Sequence, residues 1–318
     1  MTVAAPAIET SAQTVEQRPS AWSMAMRSGR VRWGGGLLLA IIIACIATMP
    51  WTLRGDPGVY ELQDGALVRQ PPKVWPPKAW FGYDPLGRSI FARCMLGGTI
   101  SLAVGVAAAM ISVVLGVSVG LIAGFRGGWI DSLLMRSVDV LYGLPYILLV
   151  ILLKIAFEDR ISQAFNSAQV ANMVVLFSAI GLVSWLTMAR VVRGQVLSIR
   201  AMPYIEACRA MGLPQWSIFI RHILPNLIGV VIVYATLTVP VAILQESFLS
   251  FLGVGINPPL PTWGSLASDG VGALSPIKLY WWMLLFPCIL LVVTLLSLNF
   301  VGDGLRDVFD PKREAAKI

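Results

Sequence analysis

The side chains best suited to chemistry gather in one stretch, "EACRAMGLPQWSIFIRHILP", from Glu206 to Pro225. It holds a carboxylate (Glu206), a thiol (Cys208), two guanidiniums (Arg209 and Arg221) and the only imidazole of the chain, His222. Nucleophilic catalysis needs a nucleophile beside a base that a third group orients. Any Ser/His/Asp arrangement would have to use His222, and no nucleophile–base pair is visible. A metal site needs clustered ligands at defined spacing. One histidine and four scattered cysteines (Cys45, Cys94, Cys208 and Cys288, with no C-x-x-C) supply neither a His-rich site nor a disulfide framework. No G-x-x-x-x-G-K-[ST] phosphate loop occurs, so the chain cannot hydrolyse ATP by that device. What remains is a polar helix marked by Gly and Pro, set between apolar segments.

The elements that flank it are built for lipid. The 318 residues are 57% hydrophobic and 13% charged, against about 25% charged in soluble domains. Apolar runs of about 20 residues read as membrane-spanning helices, which satisfy their own backbone hydrogen bonds where no water is available. The expectation is an all-α membrane protein with six transmembrane helices, at about 37–53, 99–124, 137–156, 170–190, 224–246 and 280–301. The second lies in a charge-free interval from Cys94 to Phe125, about 48 Å long as helix against a core of about 30 Å, so one end must be interfacial or tilted. Pro145 is placed to kink the third.

Residues 1–32 read as a disordered cytoplasmic tail with a basic flank. Residues 33–92 comprise the first span and an outer insert whose Pro density, as in "RQPPKVWPPKAWFGYDP", forbids regular helix and favours extended backbone. Trp75, Trp80, Phe81 and Tyr83 suit a membrane interface. Residues 93–305 form the main transmembrane domain and 306–318 a cytoplasmic tail. The uncharged segment 247–268 is too rich in Gly and Pro for a span and reads as a helix end and a loop at the outer surface.

The net charge of +7 is read as a topology signal rather than a nucleic-acid footprint, since no nucleic-acid-binding motif accompanies it. With both termini cytoplasmic, fifteen Lys and Arg fall on inner segments and eight on outer ones, as the positive-inside tendency requires. Among ionisable groups near the spans, Asp139 is expected to pair with Arg136 at i,i+3. Lys154 is expected to snorkel outward, and Glu246 to sit at an outer interface. Asp303, Arg306 and Asp307 are expected to form a local ionic cluster.

Glu206, Ala207 and Cys208 are followed by Gly212, then by His222, Leu224 and Pro225. This spacing resembles the EAA loop of ABC importer permeases, E-A-A-x(3)-G-x(9)-I-x-L-P, with Cys208 for the second Ala and His222 for the Ile. "YDPLGRSIFARCMLGGTISLAVGV" (83–106) resembles the start of the C-type inner-membrane subunit of the dipeptide/oligopeptide (peptide/nickel) family, with Ser89 where Asp is usual and Ala92 where Ser is usual. "GGWIDSLLMRSVDVLYGLP", "ARVVRGQVLSIR", "ESFLSFLGVGINPPLPTWG" and "NFVGDGLRDVFDP" are similar to it too, so the resemblance covers about 83–311.

The resemblance implies a multi-pass subunit of the bacterial plasma (inner) membrane, with a cytoplasmic EAA coupling helix between spans four and five. Glu206, Ala207, Cys208, Gly212, His222, Leu224 and Pro225 would contact an ATPase. The implied partners are a homologous second permease, two cytoplasmic ABC ATPases and an extracytoplasmic solute-binding protein, with membrane lipid around them and no nucleic acid, cofactor or metal. The implied cargo is di- or oligopeptide, and nickel chelates, glutathione and oligosaccharides are alternatives within the same mechanism. An ion-coupled carrier would favour polar residues at midplane and paired broken repeats, and spans one, two, four and six lack charge at their centres. A structural assembly subunit without a transport path, in which the Glu206–Pro225 stretch is a plain interfacial amphipathic helix, is the remaining reading.

Overall fold

The computed structural model describes residues 28–274 and 278–309. The terminal tails expected at 1–32 and 306–318 lie largely outside these residues. Regular structure among the described residues is helical, with two isolated bridges, Tyr83–Ser89 and Leu274–Leu279.

The first helix, α1 (Gly29–Thr52), begins ahead of the expected boundary at residue 33. It is followed by an insert without α-helix, in which Gly65–Leu67 and Pro77–Ala79 form short 3₁₀ turns. The chain then forms α2 (Ile90–Arg126), α3 (Gly128–Tyr142), α4 (Tyr146–Phe165) and α5 (Ala168–Arg200). A short α6 (Pro203–Ala210) precedes α7 (Gln215–Phe251), α8 (Trp263–Gly272) and α9 (Trp281–Phe309). Five of these, α1, α2, α5, α7 and α9, are long and apolar enough to cross a membrane; the bent pair α3–α4 makes a sixth if it counts as one span.

Several boundaries differ from expectation, each for a local reason. The α2 and α7 helices run for 37 residues each, about 56 Å at 1.5 Å per residue, so they extend well past the apolar window that composition marks. Each contains a π-turn, at Ser112–Val117 and Phe219–Ile223. Pro145 does more than kink the third span. It precedes Tyr146 as the N-cap of α4, and the axis turns by 94° between α3 and α4. The "EDRISQAFNSAQ" stretch, expected as a polar connection, is helical as far as Phe165, where Asn166 in the left-handed conformation ends α4.

The core holds α2, α5 and α7 together. A cluster of Leu96, Ile100, Val104, Ala108, Leu176, Ile180, Ala242 and Leu249 joins them in one half of the bundle, and Met188, Val192, Val196, Ile223 and Leu227 continue it in the other. Glycines at 116, 120 and 124 form a one-per-turn stripe of α2 against α5. A Cβ at Gly120 would stand 2.6 Å from the Ala189 carbonyl oxygen. Without a hydrophobic driving force between helices in lipid, such small-residue seams let backbones approach and collect dispersion energy. Along the outside, α9 packs on α1, α7 and α8.

The insert is anchored more firmly than its composition suggests. Ser89, the departure from the usual Asp, caps α2 by accepting from Ala92 N at 3.3 Å and donates to the Lys78 carbonyl at 2.5 Å. Ala92, the other departure, is fully buried. Asp84 accepts from Leu86 N, Arg88 N, Arg88 Nε and Arg93 Nη1 at 2.7–2.9 Å. Arg93 reaches on to Asp269 of α8 at 3.2 Å. Phe81 stacks on Phe286 of α9 at 4.1 Å, and Trp80 meets Phe91 edge-on. Of the four aromatics assigned to an interface, Tyr83 is buried while Trp75 stands out at 77% exposure.

Candidate functional site

Helix α6 starts with Pro203 at its first position, where a missing N–H costs nothing and φ is already helical. It stops two residues before Gly212, which adopts φ +78. Gly212 N donates to Arg209 O at 3.0 Å and Leu213 N donates back to Cys208 O at 3.1 Å. Pro214 then caps α7, which starts at Gln215. The glycine is demanded by this backbone angle and not by crowding, because a Cβ there would meet nothing within 4 Å.

One face of α6 is fixed. Ile205 and Cys208, three residues apart and so on one side, are buried against Ile199 of α5 and Ile218, Ile223 and Leu227 of α7. Cys208 Sγ lies 3.9 Å from His222 Nε2. The His222 carbonyl accepts from Asn226 Nδ2 at 2.6 Å. The opposite face, with Glu206, Ala207 and Arg209, is exposed, as are Gly212, Leu224 and Pro225. The seven residues singled out in the sequence therefore divide: Cys208 faces inward, His222 is half-buried, and the other five reach the surface.

Residues not singled out from the sequence complete this surface. Met211 is 72% exposed and Trp216 66%, with Tyr204 and Ile220 beside them in the chain also exposed. A tryptophan in such a polar connection is the signal that could have found them.

The base of the site is braced by arginines that the charge count had treated only as topology signals. Arg200 Nη1 donates to the carbonyls of Gly124 (2.6 Å) and Phe125 (2.9 Å), closing the end of α2. Arg193 makes a bidentate pair with Asp131 of α3 at 2.5 and 2.6 Å. Arg190 pairs with Asp139 at 2.8 Å and lies over the Tyr142 ring. This corrects the Asp139–Arg136 expectation: the α5 guanidinium reaches the carboxylate across the helix pair. The arginines at 190, 193 and 200 share one face of α5 and tie it to α2 and α3.

At the opposite end of the bundle the other expectations also change. Glu246 is fully buried, not interfacial. Ser250 Oγ donates to it at 2.6 Å and Ser101 Oγ at 3.1 Å. Lys154 does not snorkel. It is buried and Nζ donates to the Val254 and Gly255 carbonyls at 3.1 and 2.8 Å. Asn172 Oδ1 accepts from Asn257 N at 3.0 Å. The segment expected as an outer loop is therefore partly tucked in, with Ile256 and Thr262 buried, and it continues into α8, which a Thr262/Ser265 capping box starts. After the last span, Asp307 pairs with Arg30 of α1 at 3.7 Å.

Long apolar helices packed through small-residue seams, with a short exposed helix between two of them, define an all-α, multi-pass membrane protein. The family described as "Binding-protein-dependent transport system inner membrane component" matches residues 116–315, and the chain belongs to that family. It is similar to the oligopeptide transport system permease protein OppC of Haemophilus influenzae, at 42% identity over 276 residues, covering 87% of this chain and 83% of that one. It is also similar to the dipeptide transport system permease protein DppC of Bacillus subtilis, at 45% over 74% of this chain and 70% of that one. OppC of Escherichia coli K12 is 47% identical over 80% and 78%. Among solved structures, the MetNI methionine ABC transporter in inward-facing conformations shares the fold, with a TM-score of 0.52 and 21% identity, covering 68% of this chain and 96% of that chain. Family membership makes the chain a membrane component of an ABC importer, not its ATPase.

Proposed function

We propose that the chain is the translocation subunit of an importer of di- and oligopeptides. It crosses the inner membrane six times, with α3–α4 as one broken span and both termini cytoplasmic. The α6 surface is its coupling element: Glu206 and Ala207, with Met211 and Trp216 beyond them, dock on a cytoplasmic ATPase. Gly212 sets the turn, Leu224 and Pro225 lead into α7, and Cys208 and His222 hold the element from beneath. The partners are a second permease, two ATPases and an extracytoplasmic binding protein. The insert and α8 form the outer face that the binding protein meets.

The observation that carries this reading is the seating of α6. One face is buried on both α5 and α7 while the other is exposed, so a push on α6 is delivered to two spans at once. The permease names and identities of the relatives support the peptide assignment. The test is uptake of a labelled tripeptide by proteoliposomes holding the assembled complex. ATP-dependent accumulation is expected. Accumulation of a nickel chelate or an oligosaccharide with none of peptide would replace the cargo, and uptake driven by an ion gradient without ATP would replace the mechanism.

A further inference from the structure

A cavity of about 520 Å³ lies between the break of α3 and α4 and the adjoining parts of α5 and α7. That volume is within the roughly 300–1,000 Å³ of small-molecule sites. It borders Val183–Thr187, near the middle of α5, and a discontinuous helix, the arrangement in which carriers expose backbone and side chains to cargo at membrane depth. Its lining is neutral. Tyr142, Tyr146, Ser184, Tyr234, Thr238 and Gln245 stand among leucines and valines, and no Asp, Glu, Lys or Arg contributes.

Two hydroxyls of this lining have their protons engaged within the helices. Ser184 Oγ already donates to Ile180 O at 2.9 Å, and Thr238 Oγ1 to Tyr234 O at 2.8 Å. Each hydroxyl therefore offers only lone pairs. Gln245 is the exception in satisfaction: its Oε1 is buried and has no hydrogen-bond partner. A buried acceptor left unmet in apolar surroundings is costly. The terminal torsion of a glutamine is broad, so the amide can turn to a donor that enters the cavity.

We propose that this cavity is the chain's share of the cargo path, and that Gln245 hydrogen-bonds the backbone amides of the passing peptide. The proposal rests on the importer reading above and names its contact residues. A peptide of any sequence presents N–H donors at regular intervals, while its side chains vary in charge. A neutral lining with one unmet acceptor fits the constant part and leaves the variable part unselected.

The experiment uses the assembled complex in proteoliposomes with trialanine as the probe. Gln245→Leu is expected to raise the half-saturating trialanine concentration about tenfold, the loss of one hydrogen bond. Gln245→Asn, which keeps the amide, is expected to restore much of this. Unchanged trialanine uptake in Gln245→Leu overturns the role of Gln245. If Gln245→Leu fails to assemble, Thr238→Cys decides the matter through labelling by a membrane-permeant maleimide. Protection by trialanine and none by maltotriose supports the cavity as the peptide path. Equal protection by both, or labelling indifferent to trialanine, overturns it while leaving wild-type peptide uptake, and so the importer reading, standing. Labelling in the isolated subunit that vanishes on assembly without trialanine would give the cavity to the second permease and also overturns it. Wild-type complex that accumulates no peptide fails both readings together.

Discussion

Gly212 and Cys208 show what a motif does and does not disclose. Their spacing was legible through its resemblance to a known loop, in which a glycine permits a tight turn. Which face each residue takes was not legible, since it depends on the packing of α5 and α7 against α6. The structure gives Gly212 a backbone role with open space around it, which separates two explanations of its presence. Gly212→Leu and Gly212→Ala should both cut substrate-stimulated ATPase activity severalfold, because left-handed backbone costs an ordinary residue roughly 1–2 kcal/mol. Gly212→Asn should keep most of it, as asparagine visits that region readily. Equal loss in all three, read as stimulated ATP turnover of the reconstituted complex, would point to bulk and not backbone. Lys154 teaches the converse. Charge alone suggested snorkelling, but the two carbonyls that hold it lie about a hundred residues away in the chain. Lys154→Met should lower stability by about 1.5–3 kcal/mol, the range for hydrogen bonds to charged groups. A melting temperature in detergent equal to wild type would show that the 252–262 segment holds without it.

At the scale of elements, hydropathy located the cores of the long helices and missed their ends. Composition marks where side chains are apolar, while α2 and α7 continue as helix wherever neighbours still satisfy and pack them. The α8 helix was missed because glycines and prolines around it read as loop, and only burial of Trp263 against α2, with its Nε1 donating to Cys94 O at 3.0 Å, makes a short helix worthwhile. Two glycines in long helices provide a matched test of the seams. Gly120 sits 2.6 Å from a carbonyl in the Cβ direction, whereas Gly36 of α1 meets nothing within 4 Å. Gly120→Leu should destabilise by about 1–3 kcal/mol through overpacking. Gly36→Ala should be neutral or stabilising by about 0.5–1 kcal/mol through reduced backbone freedom. Thermal unfolding of the two variants in one detergent checks both, and a stable Gly120→Leu would mean that α2 and α5 are not a close seam in the assembled protein.

For the whole molecule, the fold class was legible because lipid permits few architectures, and the sixth span was ambiguous because a helix turned through 94° has two readings. Orientation rests on charge asymmetry, which the arginine braces now qualify: Arg190, Arg193 and Arg200 have structural partners that would hold them in place whatever their value as topology signals. A thiol test should avoid Cys208, which is only 8% exposed. In a variant without native cysteines, Ala207→Cys should react with an impermeant reagent only in inside-out vesicles and Leu62→Cys only in intact cells. The reverse pattern would invert the chain in the membrane.

The π-turn at Ser112–Val117 also bears on chain length. An i→i+5 turn is one residue of slack within an otherwise regular helix. Removing one residue from a plain α-helix swings everything beyond it by about a hundred degrees, since a turn holds 3.6 residues, and would point the glycine stripe of α2 away from α5. Removing Val114, which is 65% exposed, would instead absorb the slack and leave the helix on both sides facing as before. Deletion of Val114 should therefore give an inserted, assembled protein, whereas deletion of Ala107, one helical segment earlier, should not. Co-purification with the second permease would tell the two apart. On this view the turn is a place where the gene can lose a codon without rewriting the bundle.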